Sequence, residues 1–214
     1  GVVLMLKGLG VNDLAKFDFL DPPPQESLKG ALFHLWMLRA IDDVGGITPH
    51  GRQLAELPLE PPLAKVLLVA AERGCLDECL AIAALLSVDP RSVFASPKGR
   101  EAQAQAAREK FFSPESDHLT LLNVFQQYEQ SGCSKVWAEA HMLNPAALRR
   151  SLDVRGQLRD RMREVQRDKR RQDPASRDVN PDDVRRCFCD GFFAQAARRR
   201  TFTEFTALVT GVPC

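Results

Sequence analysis

Ser116, Asp117 and His118 head the stretch S-D-H-L-T-L-L-N-V-F (116–125), and these three residue types can build a hydrolytic centre. Acid–base work needs converging partners, and none has a motif elsewhere. The chain has no G-x-S-x-G elbow and no H-E-x-x-H. The same residues also fit a helix start. Ser116 and Asp117 precede the apolar-periodic run Leu119, Leu122, Val124, Phe125, and an acidic residue there complements the helix dipole. Capping is the simpler reading, with Asp117 expected as the cap and His118 in the first turn.

Six cysteines offer a second chemistry: Cys75, Cys79, Cys133, Cys187, Cys189 and Cys214. Cys75 and Cys79 stand at i,i+4 and Cys187 and Cys189 form C-x-C, neither being the paired C-x-x-C of a zinc ribbon. They are expected to be buried free thiols in a reducing compartment, with no metal. His34 lies inside an apolar helical pattern and is expected in the core. His50 and His141 stand in polar surroundings and are expected to be solvated. Gly8–Lys16 is glycine-led but lacks a phosphate-loop pattern, so no nucleotide site is encoded.

The strongest chemical feature is basic. Leu148–Arg171 holds ten Lys/Arg and four acidic residues, with Arg155, Arg159 and Arg163 at i+4 spacing and Arg149, Arg150 and Arg170 near the ends. Such a ladder can follow phosphates, or it can be a solvated face laced with Arg–carboxylate pairs. The net charge of +1 conceals an asymmetry: residues 1–148 hold 13 Lys/Arg against 18 Asp/Glu, and residues 149–214 hold 16 against 10. A basic end points to a polyanion partner.

The elements that must position these residues are mainly helical. Leu4, Leu6 and Leu9 open a short helix ended by Gly8 and Gly10, and F-D-F-L-D-P-P-P (17–24) is an extended connector. Leu28, Ala31, Leu32, Leu35, Trp36 and Leu38 predict a well-buried helix. D-D-V-G-G-I-T (42–48) has room for a short strand pair, and Thr48 caps a helix with Pro49 at its first position. This order is that of a winged helix, and P-L-E-P-P (58–62) ends it. Helices follow over 63–73, 76–88, 102–112, 117–130 and 135–142. A long one runs from Asn144–Pro145 to about Gln172 with the stripe Leu148, Leu152, Leu158, Met162 and Val165, and the last spans 182–197. T-F-T-E-F-T-A-L-V-T (201–210) predicts a strand. No apolar run approaches the roughly 20 residues of a membrane span, and Gly1–Gly10 has no signal-peptide pattern.

Seven stretches in order then resemble the C-terminal auxiliary region of DEAH-box RNA helicases. They are V-V-L-M-L-K-G-L-G-V-N-D-L, F-D-F-L-D-P-P-P, I-T-P-H-G-R-Q-L-A-E-L-P-L-E-P-P-L-A-K, A-I-A-A-L-L-S-V, S-D-H-L-T-L-L-N-V-F, L-D-V-R-G-Q-L and G-F-F-A-Q-A-A-R-R-R. Ser116 stands where the family usually has glycine, and Ala138 follows Trp137 where cysteine is common.

The resemblance implies a mainly α fold: a winged helix over 1–58, a helical-bundle (ratchet) domain over 59–197, and the first strand of a truncated oligonucleotide-binding (OB) fold over 198–214. It implies a segment of a longer protein in which RecA-like domains bind ATP and Mg2+ and hydrolyse the nucleotide. No cofactor is expected in this chain, which alone would be inactive. Its expected partners are single-stranded RNA, the RecA-like domains of the same polypeptide and G-patch-type activators, with no membrane. Its expected setting is the nucleus, in pre-mRNA splicing or related remodelling. The residues expected at RNA are Arg149, Arg150, Arg155, Arg159 and His118. The competing expectation is a protein-docking module that does not touch RNA.

Overall fold

The computed structural model describes the chain except positions 12, 15, 96–97, 168–178, 210 and 213–214. Its helices are α1 (Val2–Gly8), α2 (Gln25–Met37), α3 (Pro49–Ala55), α4 (Pro61–Arg73), α5 (Leu76–Ser87), α6 (Pro90–Val93), α7 (Glu101–Glu109), α8 (Asp117–Gln130), α9 (Lys135–Ala140), α10 (Pro145–Val165) and α11 (Pro181–Phe192). A short 3-10 turn (Phe193–Gln195) leads to strands β1 (Ala197–Arg199) and β2 (Phe205–Ala207). Among the described residues no helix is long and apolar enough to cross a membrane.

The chain forms two compact units, residues 1–66 with 188–214, and residues 67–187. The linear pattern predicts boundaries after residues 58 and 197; in the fold the segment 188–214 groups with residues 1–66, a tertiary contact that a local pattern does not encode. Gly191 lies so close to Pro62 and Val66 that an added Cβ would stand 2.5 Å from the Pro62 carbonyl oxygen.

In the first unit α1 packs on α2 and α3, burying Leu4 and Leu6. Between α2 and α3 the chain makes a small wing: Ile41 bridges Ile47 in antiparallel fashion. The Asp42 carboxylate ties the turn by accepting from the Val44 N–H at 3.1 Å and the Gly46 N–H at 2.7 Å. The buried Lys7 ammonium donates to the Gly45 carbonyl at 2.6 Å. Thr48 caps α3 as its sequence predicts, accepting from the Gly51 N–H at 2.9 Å, and its hydroxyl donates to the Arg39 carbonyl at 2.8 Å. Helix α2 departs from expectation. Leu35 is its one fully buried side chain among those described, while Phe33 and Trp36 are about half exposed and stack at 5.8 Å. His34 is exposed too, so it is not a core histidine. The apolar residues of α2 spread over two faces, and only one meets the unit's interior.

The last helix, expected to run to residue 197, ends at Phe192, and Ala197–Arg199 forms a strand. It pairs with β2 in the register Ala197↔Ala207, Arg198↔Thr206, Arg199↔Phe205. The pattern over 201–210 found the second strand but not its partner, whose alanine and arginines carry little β-propensity.

In the second unit α5 is central. Its residues Cys79–Leu85 are all buried, and it packs on α10 and α8. Asn144 caps α10 by accepting from the Ala146 and Ala147 N–H groups at 3.0 and 3.3 Å, with Pro145 at the first helical position. Helix α10 ends at Val165, short of the expected Gln172; Arg170 lies outside the described residues. Its buried stripe is Ala147, Leu148, Ser151, Leu158 and Met162, with Leu152 and Val165 only partly covered. Around Phe111 an aromatic cluster forms. His141 stacks on Trp137 at 4.2 Å with its Nδ1 2.8 Å from the Trp137 carbonyl, so it is packed rather than solvated.

Candidate nucleic-acid interface

The residues singled out for polyanion binding all lie in the second unit, on α10 and at the start of α8. They do not form one surface. Arg155 grips Glu129 of α8 with both guanidinium nitrogens, one bond being 2.8 Å to Oε2 and the other still shorter to Oε1. Its guanidinium also lies 4.6 Å above the Phe125 ring, and its side chain is only 16% exposed. Arg159 donates to Asp77 of α5 at 2.8 Å. Farther along, Arg163 pairs with Asp160 at 3.2 Å and Arg161 with Glu164 at 2.9 Å. The i+4 ladder is therefore committed to carboxylates of its own unit.

Arg149 and Arg150 differ. Both are exposed, and among the described residues neither has a hydrogen-bonding or ion-pair partner. They stand in the first turns of α10, where two adjacent guanidinium groups can each receive a phosphate oxygen.

Helical phase explains the division. At about 100° per residue, Arg155 lies within about 20° of the mean direction of Leu148, Leu158 and Met162. Arg159 lies about 60° away, whereas Arg149 and Arg150 lie about 140° and 120° away. The spacing that made Arg155 and Arg159 look like a ladder also aims them toward the core. That signal was available in the sequence.

At the start of α8 the cap is Ser116, whose hydroxyl accepts from the His118 N–H at 3.1 Å; Asp117 is the first helical residue. A cap of this kind contributes about 1 kcal/mol. The other polar residues of the stretch bind the preceding loop. Thr120 Oγ1 accepts from the Ser113 N–H at 3.0 Å, and the Asn123 amide donates to the Phe111 carbonyl at 3.0 Å. The stretch is thus a helix start with two ties, and its serine is occupied as a cap rather than poised as a nucleophile. Burial pushes the His118 pKa below its ordinary value, against the opposing pull of Asp117. Near neutral pH its imidazole is uncharged, so it can offer a phosphate or base a hydrogen bond but not a cation.

The family described as helicase associated domain (HA2), winged-helix, matches residues 31–59, and the ratchet-like part of the same HA2 region matches residues 60–121. A relative, the pre-mRNA-splicing factor ATP-dependent RNA helicase prp22 of Schizosaccharomyces pombe, is 41% identical over 197 residues, 92% of this chain. The chain spans 16% of that relative's length. The exposed arginine pair, the capped α8 and the winged helix thus sit in a chain that belongs to the DEAH-box RNA helicase family, as its HA2 winged-helix and ratchet region.

Proposed function

We propose that this chain forms the RNA-facing auxiliary region of an ATP-dependent RNA helicase. It would couple NTP hydrolysis, performed by RecA-like domains elsewhere in the polypeptide, to the remodelling of RNA or ribonucleoprotein in the nucleus. ATP and Mg2+ would belong to those domains. The observation that carries the reading is the 41% identity over 197 residues to a protein named as an ATP-dependent RNA helicase. Arg149 and Arg150, without a partner among the described residues, supply matching chemistry: two exposed cations on one helix, suited to the backbone of single-stranded RNA. Arg155 and Arg159 would act indirectly, by fixing α10 against α8 and α5. The β1–β2 hairpin would open an OB fold.

Photo-cross-linking tests this directly. With a uridine-substituted single-stranded RNA on the intact protein, adducts are expected in peptides that include the first turns of α10. Adducts confined to regions outside this chain would overturn the RNA-facing role. The exposed Phe33–Trp36 stack on α2 favours a second, compatible role, docking of a protein partner such as a G-patch activator on the winged helix.

A further inference from the structure

Cys75, Cys79 and Cys187 come from two places in the sequence and meet in the second unit. Cys75 ends the turn before α5, Cys79 follows one helical turn later, and Cys187 arrives on α11. The three residues are 1%, 0% and 0% exposed. The Sγ atoms of Cys75 and Cys187 lie 3.5 Å apart, and all three sulfurs lie within 4.8 Å of one another. A metal at the usual distance of about 2.3 Å from each of three thiolates in a plane holds its sulfurs about 4 Å apart. The separations in the cluster, 3.5 Å for Cys75–Cys187 and no more than 4.8 Å for any pair, bracket that spacing.

From this geometry we infer that Cys75, Cys79 and Cys187 form a three-sulfur binding site for copper(I). Three features select the ion. Thiolates alone, with no imidazole or carboxylate joining the group among the described residues, suit a soft cation. Structural zinc is almost always four-coordinate, and the group offers three ligand atoms. Three thiolates around a monovalent ion leave a net charge of −2, and the nearest cation is the Arg73 guanidinium, which also stands 4.0 Å from Asp183. Binding involves no electron transfer: three Cu–S bonds form, three S–H bonds break, and three protons pass to solvent. Cys189 and Cys133 lie outside the group, one exposed and one half-buried. The sequence hid the site because each neighbouring pair, Cys75/Cys79 and Cys187/Cys189, supplies only part of it.

The test is an anaerobic copper(I) titration of the intact, reduced protein against a chromophoric copper(I) chelator. The unsubstituted protein is expected to take one more tight equivalent than the Cys79→Ser or Cys187→Ser variants. Cys133→Ser and Cys189→Ser are expected to match the unsubstituted protein. Cys79→Val keeps the apolar packing and should lose the same equivalent, which separates loss of a ligand from loss of fold. Copper X-ray absorption should show three sulfur neighbours. Equal stoichiometry across all five variants would overturn the assignment. So would a Cys75–Cys187 disulfide in the purified protein, seen as a mass lower by two hydrogens, or preferential uptake of zinc(II) over copper(I) by the same residues.

Discussion

Replacing Gly51 with alanine is expected to destabilise the first unit by about 3 kcal/mol. A Cβ built on Gly51 would stand 1.9 Å from the Ala40 carbonyl oxygen and 2.8 Å from its carbon. Both are backbone atoms, so no side chain can swing aside. The same carbonyl accepts the Thr48 N–H at 3.0 Å, and the Thr48 hydroxyl lies 3.2 Å from it. Moving it would therefore loosen the α3 cap, and with it the contact of α3 on α1. Gly30, exposed on α2 with nothing within 4 Å of its added Cβ, provides the contrast. Alanine there should be neutral or stabilising by up to about 1 kcal/mol. Hydrogen exchange across 49–55, with thermal melts of both variants, measures the difference. Similar melting for the two would mean that the Gly51 approach is not a tight contact in solution.

Replacing Arg155 with alanine is expected to cost about 2 kcal/mol of stability. Alanine removes the two-pronged bond to Glu129 and the stacking on Phe125, and leaves the Glu129 carboxylate, 36% exposed, without its cation. A fully exposed pair would contribute less than about 1 kcal/mol; the low exposure of Arg155 raises the cost. A double-mutant cycle with Glu129→Gln should give a coupling of about 1 kcal/mol or more. Arg149→Ala and Arg150→Ala, by contrast, should leave melting nearly unchanged. Equal destabilisation by all three would contradict the division of the basic helix into positioning and exposed arginines.

Much of this was legible in the sequence, because caps and breakers act locally. Thr48–Pro49 and Asn144–Pro145 started helices where their chemistry requires, and the prolines of 17–24 kept that segment out of a helix. What escaped reading depended on contacts distant in sequence. Trp36 fits the buried helical pattern of its neighbours, yet only one face of α2 meets the interior and Trp36 stays about half exposed. Cys187 joins Cys75 across 112 positions, and Glu129 claims Arg155 across 26. The polar neighbours of His141 predict a solvated ring, whereas it stacks on Trp137, one turn earlier, because of how the short helix α9 is oriented in the fold. Arg155 is different: its helical phase with Leu148 and Met162 already aims it toward the core, so its position is legible from periodicity alone.

The most direct measurement of the central claim is the salt dependence of single-stranded RNA binding by the intact protein. Replacing Arg149 and Arg150 together with alanine is predicted to weaken binding about 10-fold at moderate salt. It should also flatten the slope of log affinity against log salt by about 1.4, near 0.7 for each lost phosphate contact. An unchanged slope and affinity in a normally folded double variant would contradict an RNA-facing α10 and favour the docking role instead.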